Sequence, residues 1–337
     1  MDARLSTNGT LLEVSDLSVD FASQEGTVHA VDRVSFTVRP GEFVGLVGES
    51  GCGKSITALS ILGLTRMMST ATVSGSIVFR DRDLLALPEK EVRSVRGRDI
   101  SMIFQDPVTS LNPVLTIERQ ITEGIESHLG LSHGEAIARA VELLDKVGIP
   151  HAAERLHDYP HQFSGGMRQR VMIATALSCN PALLLADEPT TALDVTIQAQ
   201  ILRLMKELSH EYDAAIILIT HDLGVVAGMT ERILVMYAGR IVESGPAKPL
   251  FAHPHHPYTI GLLRSVPRLD EPRRATLDSI EGLPPDLAHL PPGCAFAPRC
   301  TLRSDECWQQ VPELEETAVG RLSACFHSDR LVKVTAP

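Results

Sequence analysis

One motif constrains this sequence more than any other feature. Residues 48–55 read GESGCGKS and lie between the apolar run Phe43–Val47 and residues 56–62, whose apolar spacing is compatible with a helix. This is the G-x-x-x-x-G-K-[ST] pattern in a strand-loop-helix context, where glycines let backbone N–H groups surround phosphates. The motif therefore predicts a nucleoside triphosphate site. Its predicted binding residues are Gly48, Glu49, Ser50, Gly51, Cys52, Gly53, Lys54, Ser55 and Ile56.

Two residues of this loop and two later carboxylates have separate predicted roles in binding phosphate and Mg²⁺ and in activating water. Lys54 reaches the β- and γ-phosphates, and the Ser55 hydroxyl is a ligand for Mg²⁺. The apolar residues 182–186 predict a buried strand that ends in Asp187 and Glu188. Because open α/β sheets bind ligands at the carboxyl ends of their strands, Asp187 is predicted to hold Mg²⁺ and Glu188 to polarise the attacking water.

The chain alternates β-rich and helix-compatible segments. Apolar runs such as Phe43–Val47 and Ala215–Thr220 predict buried strands, whereas residues 114–147 carry apolar side chains at helical spacing. This alternation predicts an α/β fold, with a mixed or parallel sheet core and helices on its faces. We expect a helical subdomain over about residues 106–178.

The composition changes near residue 250. Prolines become dense after Gly245 and the periodicity fades. We therefore predict a nucleotide-binding domain over residues 1–250 and a small C-terminal extension over residues 251–337.

Charge and hydropathy exclude several classes of protein. The formal net charge of −11 over 337 residues argues against a protein that coats nucleic acid, which needs clustered Lys and Arg. Residues 1–14 lack the charged and apolar regions of a signal peptide. No apolar run approaches the roughly 20 residues that a membrane-spanning helix needs. We expect a cytoplasmic protein that contacts the membrane through a partner.

A third motif is the Ser164-Gly165-Gly166 triplet, which precedes a predicted helix. Unpaired N–H groups and the positive end of the helix dipole at such a position can bind an anion. A plain helix start is the alternative interpretation.

Taken together, these motifs resemble the ATPase domains of ABC transporters over residues 11–250. The matching order is the P-loop, Gln105, Ser164-Gly165-Gly166, Asp187-Glu188, Ala192-Leu193-Asp194 and His221. Residues 105–113, residues 163–170, the His256-Pro257-Tyr258-Thr259 sequence and the cysteine-bearing tail resemble the oligopeptide/dipeptide importer branch in particular. Phe163 and Met167 depart from the commonest ABC signature, and both departures are usual in that branch.

The resemblance implies a mechanism. Two ATPase domains dimerise head-to-tail, and each ATP lies between the P-loop of one and the Ser-Gly-Gly helix of the other. Gln105 would contact Mg²⁺ and the attacking water, and His221 would hold the γ-phosphate, so that both act with Glu188 in catalysis. Asp194 would bridge the dimer. Phe21 would stack on adenine, with a core phenylalanine as the alternative.

The resemblance also implies partners and location. It predicts a motor subunit that couples ATP hydrolysis to uptake of di- and oligopeptides, at the cytoplasmic face of the inner membrane. The partners would be a second, related ABC ATPase chain, two transmembrane permease subunits and an extracytoplasmic peptide-binding protein. Import of nickel or another small solute, and a soluble ABC-type ATPase, stay open as alternatives.

The C-terminal tail contains four of the six cysteines, Cys294, Cys300, Cys307 and Cys325. In a reducing cytoplasm such a cluster is more typical of a metal site than of disulfides. Four thiolates suit either Zn²⁺ or a [4Fe–4S] cluster, and ordinary reduced thiols are the third possibility. The resemblance favours the [4Fe–4S] cluster. His327, two residues after Cys325, is either an alternative ligand or an ordinary surface histidine.

Overall fold

The computed structural model describes residues 9–24, 26–191, 193–265 and 280–334. The strands are β1 (Leu12–Ser23), β2 (Gly26–Val38), β3 (Phe43–Val47), β4 (Ala71–Phe79), β5 (Arg82–Asp83), β6 (Ile100–Ile103), β7 (Leu183–Asp187), β8 (Ala215–Thr220), β9 (Arg232–Tyr237), β10 (Arg240–Pro246), β11 (Glu315–Ala318) and β12 (Arg321–Ser323). The helices are α1 (Lys54–Ile61), α2 (Glu89–Val95), α3 (Pro107–Ser110), α4 (Ile117–Leu129), α5 (His133–Lys146), α6 (Ala152–Arg155), α7 (Gly165–Leu177), α8 (Val195–Tyr212), α9 (Leu223–Ala227), α10 (Ala247–Ala252), α11 (Pro257–Arg264), α12 (Asp305–Gln309) and α13 (Ser328–Val334).

The chain divides into two compact units. The first comprises the residues up to Leu11, residues 38–42 and residues 86–217. The second comprises the described residues of the ranges 12–37 and 43–85 and those from Leu218 onward. The chain passes from the first unit into the second within β8, a strand whose six residues are all buried.

In the first unit, β6 and β7 form a parallel pair that aligns Ile100 with Leu183 and Ile103 with Ala186. Both strands are short, apolar and almost wholly buried, as strands of a parallel sheet covered on both faces should be. Between them in the sequence, the described elements are helical. The local sequence favours α5 in particular, because Ser132 and Glu135 form a reciprocal capping box at its start.

In the second unit, β2, β1, β4 and β5 form one antiparallel sheet in that order. In the other sheet, β3 pairs in parallel with β9, and β10, β12 and β11 continue it as antiparallel neighbours. The turn between β9 and β10 places Ala238 and Gly239 at positive φ, which suits the twist of a tight hairpin. The mixed sheet confirms the predicted α/β class.

The residues after position 245 add to this second sheet through β11 and β12, which pair with β10. The predicted boundary near residue 250 and the limits of the helical subdomain stay predictions. Within the described ranges, no helix combines the length and the apolar character that crossing a membrane requires.

Candidate functional site

The P-loop connects the buried strand β3 to helix α1 in the second unit. Two of its glycines are sterically required. A Cβ at Gly48 would lie 2.2 Å from the Met236 carbonyl oxygen, and one at Gly53 would lie 2.3 Å from the Ala30 carbonyl oxygen. Since real Cβ atoms do not approach backbone this closely, the loop can pack against these two strands only with glycine at both positions.

Lys54 lies across the loop rather than extending into solvent. Its side chain is buried, and its ammonium donates to the carbonyl oxygens of Gly48 at 2.9 Å and of Glu49 at 2.8 Å. Ser55 is exposed and Ile56 is half-buried. The positive charge is therefore held at the loop where the sequence predicts phosphate, beside an accessible hydroxyl.

Cys52 is buried within the same loop. Burial raises the pKa of its thiol, so the group is protonated at neutral pH and is a poor nucleophile. Its carbonyl oxygen accepts a hydrogen bond from Gly239 N–H at 3.0 Å, which ties the loop to the β9–β10 turn.

The P-loop residue Glu49 has two partners from the C-terminal part of the second unit. Its backbone N–H donates to the Tyr258 hydroxyl at 2.7 Å. Its carboxylate accepts two hydrogen bonds from the Arg299 guanidinium, at 2.6 and 3.0 Å. The segment that contains Tyr258 carried no predicted role, and Arg299 was missed from sequence.

In the first unit, Gln105 and Glu188 lie together at the carboxyl ends of the neighbouring strands β6 and β7. Gln105 Nε2 donates to Glu188 Oε2 at 2.9 Å, and the Thr191 hydroxyl donates to the same oxygen at 2.9 Å. Thr191 was missed from sequence, although it lies only three residues after Glu188. Asp187, the last residue of β7, is buried.

The backbone at Glu188 is unusual. Its φ of 46° lies in the left-handed region, which residues other than glycine seldom occupy. Such strain is often found at functional sites, where the surrounding structure holds a side chain in a required direction. Here the conformation follows directly after the buried strand and directs the carboxylate to Gln105 and Thr191.

The Ser164-Gly165-Gly166 segment forms the start of α7. Ser164 is the N-cap residue, and its hydroxyl accepts a hydrogen bond from Met167 N–H at 3.3 Å. Ser164 and Gly165 are exposed, and a Cβ at Gly165 would meet no atom within 4 Å. Phe163 is buried beneath the Arg155 guanidinium. The helix start thus presents an open, glycine-lined surface to solvent.

Three further predicted residues have definite positions. Asp194 is exposed and caps α8, where its carboxylate accepts from Ile197 N–H at 3.0 Å. His221 follows β8 directly and is exposed. Phe21 is half-buried on β1, opposite Ala71 of β4. Ala192 of the matching motif lies outside the described residues.

All four cysteines of the C-terminal tail line one small cavity, together with His327. They are free thiols. Backbone N–H groups of Leu302 and His327 donate to the sulfurs of Cys300 and Cys325, at 3.3 and 3.4 Å. Burial raises the pKa of the Cys325 thiol to about 12. Among the described residues, no group of three or more potential ligands is positioned to hold a metal ion.

Two family descriptions match the chain. Residues 31–191 match "ABC transporter", and residues 242–307 match "Oligopeptide/dipeptide transporter, C-terminal region".

Several similar proteins align with this chain over nearly its whole length. The oligopeptide transport ATP-binding protein OppD of Salmonella typhimurium is 54% identical over 94% of this chain and 93% of its own length. The oligopeptide transport ATP-binding protein AppD of Bacillus subtilis is 52% identical over 94% of this chain and 96% of its own length. The dipeptide transport ATP-binding protein DppD of Bacillus subtilis is 51% identical over 92% of this chain and 98% of its own length.

Solved structures with the same fold include the dimeric structure of MJ0796, a bacterial ABC transporter cassette. The alignment with it covers 70% of this chain and 99% of the MJ0796 chain, with a TM-score of 0.63 and 29% identity. A dimeric post-hydrolysis state of MJ0796, bound to ADP and Pi, covers the same shares with a TM-score of 0.62 and 28% identity.

Proposed function

This chain belongs to the ABC transporter ATP-binding proteins, in the oligopeptide/dipeptide branch. We propose from this that its site residues, cofactors and partners are those of the ATP-hydrolysing subunit of a peptide importer. The chain hydrolyses ATP as the motor subunit of an ABC importer for oligopeptides or dipeptides. The names of the similar proteins favour peptide over nickel or another small solute.

The catalytic proposal depends on one observation, the hydrogen-bonded position of the Glu188 carboxylate between Gln105 and Thr191. A fixed carboxylate at the carboxyl end of a parallel strand can accept a proton from a water molecule that attacks the γ-phosphate. Gln105 would orient that water and Glu188 would take its proton. His221 would hold the γ-phosphate, and Phe21 would stack on adenine.

Mg²⁺ would be held by the Ser55 hydroxyl, the Gln105 amide oxygen and the Asp187 carboxylate. These are the hard oxygen donors that Mg²⁺ prefers, and the ion would neutralise charge that develops on the phosphates. Lys54 would turn from the loop carbonyls to the β- and γ-phosphates when ATP binds.

The exposed start of α7 supports a role across a dimer. In a head-to-tail pair, Ser164, Gly165 and Gly166 of one chain would complete the nucleotide site on the P-loop of the other, and Asp194 would bridge the two chains. We assign the second position to a related ATPase chain. Two transmembrane permeases and an extracytoplasmic peptide-binding protein would complete the importer, with this chain at the cytoplasmic face of the membrane.

Substitution of Glu188 tests the catalytic assignment. Glu188→Gln should keep ATP binding but lose on the order of 10²–10⁴-fold in turnover, because it removes the general base and leaves the loop intact. Glu207→Gln makes the same change at an exposed position of α8 and should keep the parent rate. ATP affinity and phosphate release would be measured on the assembled transporter. Parent-rate hydrolysis by Glu188→Gln would show that another group is the base.

The cysteine site is a separate proposal. Four free thiols around one cavity, two of them accepting backbone N–H donors, support a [4Fe–4S] cluster held by Cys294, Cys300, Cys307 and Cys325, with Zn²⁺ as the alternative. Because the described residues contain no group of three or more ligands positioned to hold a metal ion, binding requires the four sulfur atoms to rearrange.

Anaerobic purification distinguishes the two metals. A [4Fe–4S] cluster would give a brown protein with about four iron and four sulfide per chain, and zinc would give a colourless one. Cys300→Ser should lower the metal content, whereas Cys179→Ser, which replaces a buried cysteine of the first unit, should leave it unchanged. A parent protein without iron or zinc would refute the site.

A further inference from the structure

The P-loop carries a negative charge where it is expected to bind a polyanion. Glu49 follows the first glycine of the motif, and 24% of its side chain is exposed. An uncompensated carboxylate at this position would repel a triphosphate, and the repulsion would be only partly screened because the group is half-buried. Phosphate binding at this loop therefore requires a group that neutralises the Glu49 carboxylate or holds it away from the phosphates.

Arg299 provides the neutralising charge. Its guanidinium donates to both Glu49 carboxylate oxygens, at 2.6 and 3.0 Å, and only 6% of its side chain is exposed. It also donates to the carbonyl oxygens of Glu281 at 2.9 Å and of Ile280 at 3.3 Å. This two-point geometry is the strongest form of an arginine–carboxylate pair, and the extra bonds fix the guanidinium in place.

Tyr258 holds the backbone at the same residue. Its side chain is fully buried at the start of α11, and its hydroxyl oxygen accepts the Glu49 N–H at 2.7 Å. The ring packs against Tyr237 and Phe296, with centroids 4.5 and 5.5 Å away. Because the ring is fixed by this packing, the hydroxyl sets the orientation of the first peptide group after Gly48.

We propose that Arg299 and Tyr258 are positioning residues that act through Glu49, and we call the three residues the P-loop clamp. Arg299 cancels the Glu49 charge and Tyr258 fixes its peptide group, so that the loop reaches the triphosphate with a preset shape and no net repulsion. The proposal rests on nucleotide binding at the P-loop. It also gives a role to the His256-Pro257-Tyr258-Thr259 segment.

Charge cancellation predicts a specific pattern in binding experiments. Arg299→Gln should weaken ATP affinity by on the order of tenfold, because it exposes the Glu49 carboxylate to the phosphates. The loss should be smaller for ADP and smallest for AMP, since it follows the charge of the ligand. Glu49→Gln in the Arg299→Gln background should restore ATP affinity to within about twofold of the parent, a coupling that only interacting residues show.

Two conservative variants separate the parts of the clamp. Arg299→Lys keeps the charge and loses the two-point geometry, so its ATP affinity should lie between those of the parent and Arg299→Gln. Tyr258→Phe keeps the packed ring and removes the acceptor of the Glu49 N–H, so affinity should fall by roughly threefold to tenfold for all three nucleotides alike. Arg264→Gln, at an exposed position of α11, should change neither affinity nor stability.

The test is to titrate the intact purified chain and its variants with ATP, ADP and AMP. Thermal unfolding without nucleotide checks that each variant is folded. A parent chain that binds no nucleotide would refute the proposed function itself. A parent that binds, with equal losses for all nucleotides in Arg299→Gln and no recovery in the double variant, would refute the clamp alone. If Arg299→Gln does not fold, the ATP affinities of Arg299→Lys and of the Arg299→Lys, Glu49→Gln double variant are compared instead. Additive effects of the two substitutions on ATP affinity would then also overturn the clamp.

Discussion

Gln105 Nε2 lies 2.9 Å from Glu188 Oε2, although the two residues are 83 positions apart in the sequence. The contact exists because β6 and β7 run in parallel and end at the same edge, so that each strand delivers one of the two side chains. The roles proposed for the two residues require both side chains to lie within reach of one water molecule.

Thr191 should tune this pair without taking part in proton transfer. Thr191→Val keeps the shape of the side chain and removes one of the hydrogen bonds to Glu188. A hydrogen bond to a charged group contributes about 1.5–3 kcal/mol, so we expect turnover to fall by about tenfold or more while ATP affinity stays near the parent value. Steady-state phosphate release and equilibrium ATP binding measure the two effects.

Thr122→Val is the matched control for that experiment. Thr122 lies buried in α4, and its hydroxyl has no hydrogen-bond partner within the described part of the chain. The same substitution there should leave turnover unchanged. If Thr191→Val hydrolyses ATP as fast as Thr122→Val, the hydroxyl does not orient Glu188.

Gly165 should separate folding from dimer function. A Cβ at this position meets nothing within 4 Å, and alanine is a better helix former than glycine, so Gly165→Ala should be as stable as the parent or up to about 1 kcal/mol more stable. If the start of α7 closes over a partner's nucleotide, the added methyl group will obstruct that approach. We therefore expect chemical denaturation to show an unchanged or raised stability, and the assembled transporter to lose ATPase activity. Full activity would place the partner contact elsewhere.

Gly48 should behave in the opposite way. Alanine at this position would put its Cβ 2.2 Å from the Met236 carbonyl oxygen, so the loop or β9 must move. We expect Gly48→Ala to lose about 1–3 kcal/mol of unfolding free energy together with ATP binding. Gly134→Ala, in an open position of α5, should lose neither. Equal stability of the two variants in urea unfolding would contradict the packing described for the P-loop.

Loss of the buried ion pair between Arg321 and Glu243 should make the free energy of unfolding depend on pH. Glu243 is fully buried and accepts from Arg321 at 3.3 Å and from His255 N–H at 2.7 Å. Burial raises the pKa of Glu243, and Arg321 opposes that rise. Arg321→Met should therefore raise the folded-state pKa of Glu243 further.

The sign of the pH effect follows from that rise. A glutamate whose pKa is higher in the folded than in the unfolded state contributes most to stability below its unfolded pKa of about 4.3, and this contribution is lost as pH rises through the folded value. The Arg321→Met variant should thus lose about 3 kcal/mol of unfolding free energy at pH 7 and clearly less at pH 4.5. A loss that is larger at pH 4.5 would mean that Arg321 does not compensate the Glu243 charge.

The sequence predicted the local parts of this site and missed its long-range contacts. The P-loop was predictable because its strand, glycines, Lys54 and helix are continuous in the chain. The pairing of Glu49 with Arg299 joins residues 250 positions apart, and neither side of it carries a local signal. Similarly, the left-handed backbone at Glu188 has no sequence signature.

The cysteines show the intermediate case. Their crowding in the C-terminal tail predicted a metal site, and the fold places all four around one cavity. The positions of the four sulfur atoms, which decide whether a metal can bind, are not encoded in the sequence pattern.

The most direct test of the account is ATP hydrolysis coupled to transport. The chain would be purified with the proposed permeases and second ATPase, reconstituted in liposomes, and supplied with ATP, Mg²⁺ and a peptide-loaded binding protein. We predict phosphate release together with accumulation of peptide, and loss of both when Glu188→Gln replaces the parent chain. Peptide accumulation that continues unchanged with Glu188→Gln, or a complex that binds no ATP, would contradict the account.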